Sequence, residues 1–416
     1  MTQAAARAAH PPPWLFGITN IPFGVSGGYT SVAMPYILRQ ADVPVVTITA
    51  VSAAVLLPLS LQFLWAPLLD FGLPRRMWLI LAAALSSLLL GASMFLHLPD
   101  QLAAFEVCCV IGQGLTGLVS SCNGALIATQ VPGALHGRAS GWLNAANLGG
   151  NAIGGGLVLG LVNVYGMRAA GIGMGLVTLL PALGAIAVIE RPRQARQLRH
   201  AVPAMLRDLW RTASSRNGWT GILFCIAPVS TPALLDVFSG VADDYRTSGQ
   251  TVEWTMGYGS GVATVAGALL AGRFLDRMNR RSAYLLSGAL LAIVDVAMER
   301  AGLSPLAYVA GTLAYSLVAG ICFAAFTAMV FEIIAGADHS AASQYTLFDA
   351  AGWQVTSFLV WADGLGYGYF KNRHLSGPSG LLLTDALMNV AGICFLAALM
   401  AVLAARRPRA AAAEAA

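Results

Sequence analysis

An all-α membrane protein, with twelve transmembrane helices in two pseudo-symmetric six-helix bundles, is the fold class this sequence predicts. Three observations predict it. Of 416 residues, 57% are hydrophobic and 10% charged, too few polar groups to cover a water-facing surface. Apolar runs of about 20 residues, enough for a helix to cross a hydrocarbon layer of roughly 30 Å, recur along almost the whole chain. The sequence also echoes itself across its longest polar interval.

The apolar runs fall near 14–38, 45–68, 77–98, 101–129, 139–165, 168–189, 219–242, 252–272, 283–300, 305–331, 344–367 and 381–404. They are continuous rather than alternating, which favours helices over barrel strands, and a helix in lipid satisfies its own backbone. The first run follows "MTQAAARAAHPP", expected to be a disordered cytoplasmic tail. That run is too long for a signal-peptide core and no small-residue cleavage site follows it, so it is expected to be a retained span. The second run ends in the polar stretch "FLWAPLLDFGLPRR" (63–76), and the third begins beyond it. The fourth carries Glu106, Gln113 and Asn123, and the fifth opens at "HGRASGWLNAANLGG" (136–150). The sixth stops at Glu190. The seventh contains "APVSTP" (227–232), where Pro228 and Pro232 remove two backbone donors and predict a kink. The eighth is followed by "GRFLDRMNRR" (272–281), the ninth and twelfth hold Asp295 and Asp385, and the tenth holds Tyr315 and ends near Glu332. The eleventh holds Asp349, Gln354 and Asp363.

Basic residues set the orientation. With a cytoplasmic N-terminus, 18 of the 24 Lys and Arg lie on the cytoplasmic side, so the positive-inside bias predicts both termini there, in a bacterial inner membrane. Trp14, Trp78, Trp142 and Trp219 suit interfacial anchoring at those inner ends. The net charge of +5 is explained by the same bias, and no nucleic-acid partner is inferred. Six cysteines lie inside apolar runs without metal-ligand spacing and are read as small packing residues; all six histidines lie in tails or loops. No metal or cofactor is expected, and a monomer in the bilayer is the expected unit.

The interval Glu190 to Gly218 divides the runs six and six. Residues 1–189 and 219–416 are therefore the expected bundles, joined by a basic linker over 190–218. Across it, 63–76 is answered by "LLAGRFLDRMNRR" (269–281), and "HGRASGWLNAANLGG" by "HSAASQYTLFDAAG" (339–352), at offsets of 206 and 203 residues. A six-helix unit written twice is a recurring transporter design.

Gly272-x-x-x-Asp276-Arg277-x-x-Arg280-Arg281 resembles the cytoplasmic loop signature of the major facilitator superfamily, and Asp70 with Arg75 and Arg76 is a weaker copy. Within that superfamily, "FLWAPLLD" (63–70) and "SAASQYTLF" (340–348) resemble the peptide/acetyl-coenzyme A transporter branch, with its muropeptide and siderophore permeases. The end of the fourth run, "CNGALIATQVPG", lacks the acidic residues of muropeptide permeases, which argues against a muropeptide. The resemblance implies a cytoplasmic latch: Asp276 closing on the start of span five near Arg138 and Ser140, and Asp70 on the start of span eleven near Ser343 and Gln344. A carboxylate can accept from the free N–H groups of a helix start while Arg holds it there. Arg75, Arg76, Arg277, Arg280 and Arg281 complete that gate, with Asp349 beside it. Plain anchoring of the loops is the simpler alternative.

In the superfamily spans one, four, seven and ten line the cavity, which places Asp236 first as a substrate or proton group. Asn20, Tyr29, Gln113, Asn123 and Tyr315 are further contacts. Glu106 belongs either to an outer vestibule or to a solvated helix end. Asp295 and Asp385 are expected to make interfacial or structural pairs, and Glu332 to pair with a loop arginine. The Gly-rich stretches 149–160 and 257–272 are expected to pack the two halves together. The expected activity is proton-coupled secondary transport, by alternating access, of a mid-sized polar or peptidic solute. An exporter of a drug or metabolite, or a non-transporting receptor on the same scaffold, are the alternatives. An enzyme is not expected, because no His, Cys or acid cluster recurs at one depth.

Overall fold

The computed structural model describes residues 11–65, 69, 73–132, 135–188, 190, 207, 210, 211, 214–275, 278–334 and 341–414. Every regular element among them is helical. The helices stand where hydropathy placed them, consistent with the twelve-span reading: Arg75–Ser93 is span three, Leu102–Gln130 span four, Arg280–Ala301 span nine and Pro305–Ile334 span ten. Among the described residues, seven helices are long and apolar enough to cross a bilayer on their own. Span two, Val45–Ser60, is shorter but apolar. Successive spans run antiparallel, so the chain has a terminal face, holding Pro13, Arg75, Arg280 and the start of span eleven, and an opposite face holding Gln40, Tyr245 and Asn372. Large apolar side chains such as Val262, Leu269, Leu306 and Leu387 are exposed around the outside, as lipid-facing residues are.

Three spans are interrupted by π turns. Span one is Pro13–Gly28, a π turn Tyr29–Ala33, then Met34–Gln40. Span five is His136–Ala152, a π turn Ile153–Leu157, then Val158–Tyr165; span eight is Gly249–Val252, a π turn Glu253–Gly259, then Ser260–Leu275. Such single-turn widenings locally re-aim side chains. One apolar core is confined to residues between Leu15 and Val188, a second to residues between Phe224 and Leu396, and a third draws on both ends of the chain.

Two expectations are corrected. Span seven is broken rather than kinked. Its helix Arg216–Ile226 stops before Pro228, an irregular stretch follows, and two 3-10 turns, Ala233–Asp236 and Phe238–Tyr245, finish the crossing. Ser230 sits in the left-handed region at φ 54°, a strained setting for a residue with a side chain. Irregular backbone at membrane depth survives only where protein supplies its partners. Here Tyr284 of span nine donates to the Val229 carbonyl at 2.7 Å, and the Ser230 N–H donates to Asn389 Oδ1 of span twelve at 3.1 Å.

The glycines of spans five and eight serve two contacts rather than one. A methyl group on Gly154 would strike the Val25 carbonyl of span one, and one on Gly267 would strike Leu317 of span ten, both inside a half. Gly156 does touch span eight, where Gly257 and the Tyr258 ring lie against it. Missing side chains thus close each bundle as well as joining the two.

Candidate functional site

Spans one and four meet along a buried polar seam. Thr19 donates to Asn123 Oδ1 at 2.7 Å, and Asn123 Nδ2 donates to Asn20 Oδ1 at 3.3 Å. Two turns along, Ser26 donates to Gln113 and receives from Thr116 at 3.0 Å. Tyr29, at the π turn, pairs with the Ser93 hydroxyl of span three at 2.9 Å. Asn20 and Asn123 are therefore brought together, while Gln113 and Tyr29 lie farther along with Ser26 and Ser93 as partners; all four are buried between helices. Glu106 stands apart, half-buried near the opposite face, with no hydrogen bond or ion pair among the described residues.

An amide stripe that sequence reasoning missed lies on span five. Asn144, Asn147 and Asn151 recur at helical spacing; Asn144 is exposed, the other two half-buried, and Asn151 Nδ2 donates to the Asn147 carbonyl at 3.0 Å. The 3,4 spacing of "NAANLGGN" was the available signal.

Asp236 ends the first 3-10 turn of span seven, half-buried and without a hydrogen bond or ion pair among the described residues. Two residues earlier, the Leu234 N–H donates to the Tyr315 hydroxyl at 3.3 Å, and that hydroxyl donates to Asp385 Oδ2 at 3.0 Å. Asp385 is fully buried, as are Asp295 and Asp363, and the three lie close enough to interact electrostatically. No ion pair to Asp295 or Asp385 is found among the described residues. All the oxygens of Asp295 and Asp363, and Asp385 Oδ1, have no hydrogen-bond donor among the described residues.

The opposite face carries an ionic junction that charge counting treated as background. Arg39, at the end of span one, lies 3.3 Å from Asp244 and 3.7 Å from Asp243 in the last 3-10 turn of span seven. Gln40 donates to Asp243 at 3.0 Å, and the Tyr367 hydroxyl of span eleven donates to Asp244 at 3.0 Å. Behind it Phe238 stacks on Tyr308, ring centres 5.1 Å apart, with Tyr245 edge-on.

On the terminal face Asp70, Asp276 and Arg277 lie outside the described residues, and of Ser343 and Gln344 only the backbone is described. The remaining arginines brace their own bundles. Arg75 Nη1 donates to the Ala125 carbonyl at 2.8 Å and Arg280 Nη1 to the Ala328 carbonyl at 3.2 Å, equivalent places in the two repeats. Arg76 reaches the Val188 carbonyl at 3.1 Å, Glu190 accepts from the backbone N–H groups of Arg75 and Arg76, and Arg280 and Arg281 flank Glu332. Cations at helix C-terminal ends are favourably placed. Arg138 is exposed. Between the halves, Gln62 of span two donates to Asp349 at 2.9 Å and Ser60 to Gln354 at 3.1 Å.

Comparison with known proteins gives a consistent picture. The family model described as Major Facilitator Superfamily matches residues 16–360. Among solved structures, a D-xylose-proton symporter superposes with a TM-score of 0.72 at 16% identity, over 92% of this chain and 96% of that one. The xylose transporter XylE from E. coli, in an inward-open conformation, gives 0.68 at 15% identity, over 92% and 94%. A single-site mutant of the nucleoside transporter NupG gives 0.68 at 13% identity, over 92% and 98%. At these identities the likeness is one of fold.

Proposed function

This chain belongs to the Major Facilitator Superfamily, and from that premise we propose that it is a secondary active transporter that moves a mid-sized polar or peptidic solute by alternating access. The observation that carries the reading is the junction of Arg39 with Asp243 and Asp244. It joins chain segments some two hundred residues apart, at one face only, through partly exposed groups that water can reach when the contact opens. A contact of that kind can break and reform as two bundles rock. We take residues 1–189 and 219–416 as those bundles, 190–218 as their linker, and the terminal face as cytoplasmic.

On that face Asp276 latches the start of span five and Asp70 the start of span eleven, alternating with the Arg39 junction. Arg75 and Arg76 tie the start of span three, and Arg280 and Arg281 the start of span nine, to neighbouring helix ends. Asp349, bonded to Gln62, adds a contact between spans two and eleven. Substrate recognition falls to Asp236, the amides of span five and the seam of spans one and four, whose hydrogen bonds are exchangeable for those of a solute. Amides and hydroxyls suit a neutral polar or peptidic molecule, and the described span interiors hold no Lys or Arg to neutralise a polyphosphate. The peptide/acetyl-coenzyme A branch, in its siderophore-permease form, is the nearest match to that chemistry. Energy comes from protons taken up on one side and released on the other.

The test is uptake into liposomes holding the purified protein, with an imposed pH gradient and a panel of siderophores, muropeptides, xylose, nucleosides and coenzyme A esters. Accumulation of one class, abolished by a protonophore, is expected. Binding of a panel member without accumulation would replace transport by the receptor reading. Efflux from preloaded vesicles against a gradient would make it an exporter.

A further inference from the structure

We infer that Asp295, Asp363 and Asp385 form a buried proton-binding site inside the second half of the chain, linked through Tyr315 to the broken part of span seven. The three carboxyls come from spans nine, eleven and twelve, none of which the superfamily resemblance counts as cavity-lining, and they touch span ten through Tyr315. Counting about 1.5 Å per residue from the helix ends at Ala301, Asn372 and Gly377, they lie in one layer roughly 9–14 Å below the opposite face. All three are 0% exposed.

Two features point to a bound proton. First, Asp295 and Asp385 are fully buried neighbours that interact electrostatically, and two ionised carboxylates side by side repel with no donor between them. A proton on one oxygen supplies that donor. Second, every oxygen of Asp295 and Asp363 is buried without a partner, and no Lys, Arg or His is in contact with the cluster among the described residues. An unpaired charge at this depth costs several kcal/mol, so three cannot remain ionised together. The other titratable groups facing the cluster are Tyr315 and Cys322, both on span ten and both neutral donors.

The wiring gives the site a consequence. Tyr315 donates to Asp385 Oδ2 and accepts from the Leu234 N–H, two residues from Asp236. Adding or removing the proton on Asp385 changes the strength of the bond Tyr315 makes, and with it the hold on a stretch of span seven whose backbone is not helical. A small cavity lined by Leu234, Met298, Thr312 and Tyr315 adjoins this link, and the Thr312 hydroxyl has no partner among the described residues. That consequence rests on the transporter reading; the proton site itself does not.

Infrared difference spectroscopy on the whole protein in liposomes, titrated in choline chloride and again in sodium chloride, tests it without any transported solute. A protonated-carboxyl band at neutral pH is expected, with loss of amplitude in Asp295→Asn, Asp363→Asn and Asp385→Asn and none attributable to this band in Asp236→Asn. Tyr315→Phe keeps all three carboxyls and should shift the band without reducing it, which carries the test if an Asn variant does not fold. A band unchanged in the Asn variants and unshifted in Tyr315→Phe overturns the proposal. A band that vanishes in sodium and returns in choline overturns it in favour of a sodium site. Failure here leaves the liposome uptake untouched, and failed uptake with the band intact does the reverse.

Discussion

The Arg39 guanidinium meets two carboxylates that are partly open to water, so each pair contributes only about 0.5–1 kcal/mol. That is small for stability but enough to bias two conformations. Arg39→Ala is expected to shift the balance towards opening of the opposite face by roughly 3- to 10-fold. Spin labels at the exposed positions 42 and 246 should then report a longer distance, while an unchanged distribution would remove the junction from the gating cycle. Asp236 has neither hydrogen bond nor ion pair among the described residues, so replacing it tests chemistry more than folding. In Asp236→Asn, uptake in the liposome assay should no longer respond to the pH gradient; a response like that of the unaltered protein would assign coupling elsewhere. Sequence alone ranked Asp236 first because it was the one acid on a cavity-lining span beside two prolines. It ranked Asp295 and Asp385 low because spans nine and twelve are usually peripheral in the superfamily, and gave Asp363 no role; only packing brings the three near one another.

Span seven shows how elements depend on neighbours. Pro228 and Pro232 made a distortion legible, but a kink and a break differ in where the freed backbone groups find partners, and those partners are Tyr284 and Asn389 on other helices. Tyr284→Phe leaves the Val229 carbonyl without its donor, at a cost of about 1–3 kcal/mol. A melting temperature lowered by a few degrees in detergent, about what that energy implies for a chain of this size, is the expected result. An unaltered melting temperature would mean that the break is held by other contacts. The glycines of span five separate in the same way. Gly154→Ala places a methyl group against the Val25 carbonyl and should force spans one and five apart, lowering the yield of folded protein. Gly149→Ala meets nothing within 4 Å and should be neutral by the same size-exclusion assay. Both lie in one Gly-rich run, and composition does not distinguish them.

At the scale of the molecule, the duplicated basic loops were legible as echoes at offsets of 206 and 203 residues. The structure turns that echo into equivalent bonds, Arg75 to Ala125 and Arg280 to Ala328, each tying the start of one helix to the end of another in the same bundle. A cysteine introduced at position 42 should react with a membrane-impermeant reagent from the side opposite one at position 138, since the two lie on opposite faces; labelling of both from one side would undo the antiparallel order of spans. What the sequence by itself determined is the set of crossings, their order and the family. Hydropathy and short motifs are local properties, carried by residues close together in the chain. Only the tertiary structure decided which polar groups meet, where span seven opens and which face carries the ionic junction. Hydrogen bonds and charges act over a few ångströms of space, and residues as distant in sequence as Arg39 and Asp244 become neighbours only when the helices pack.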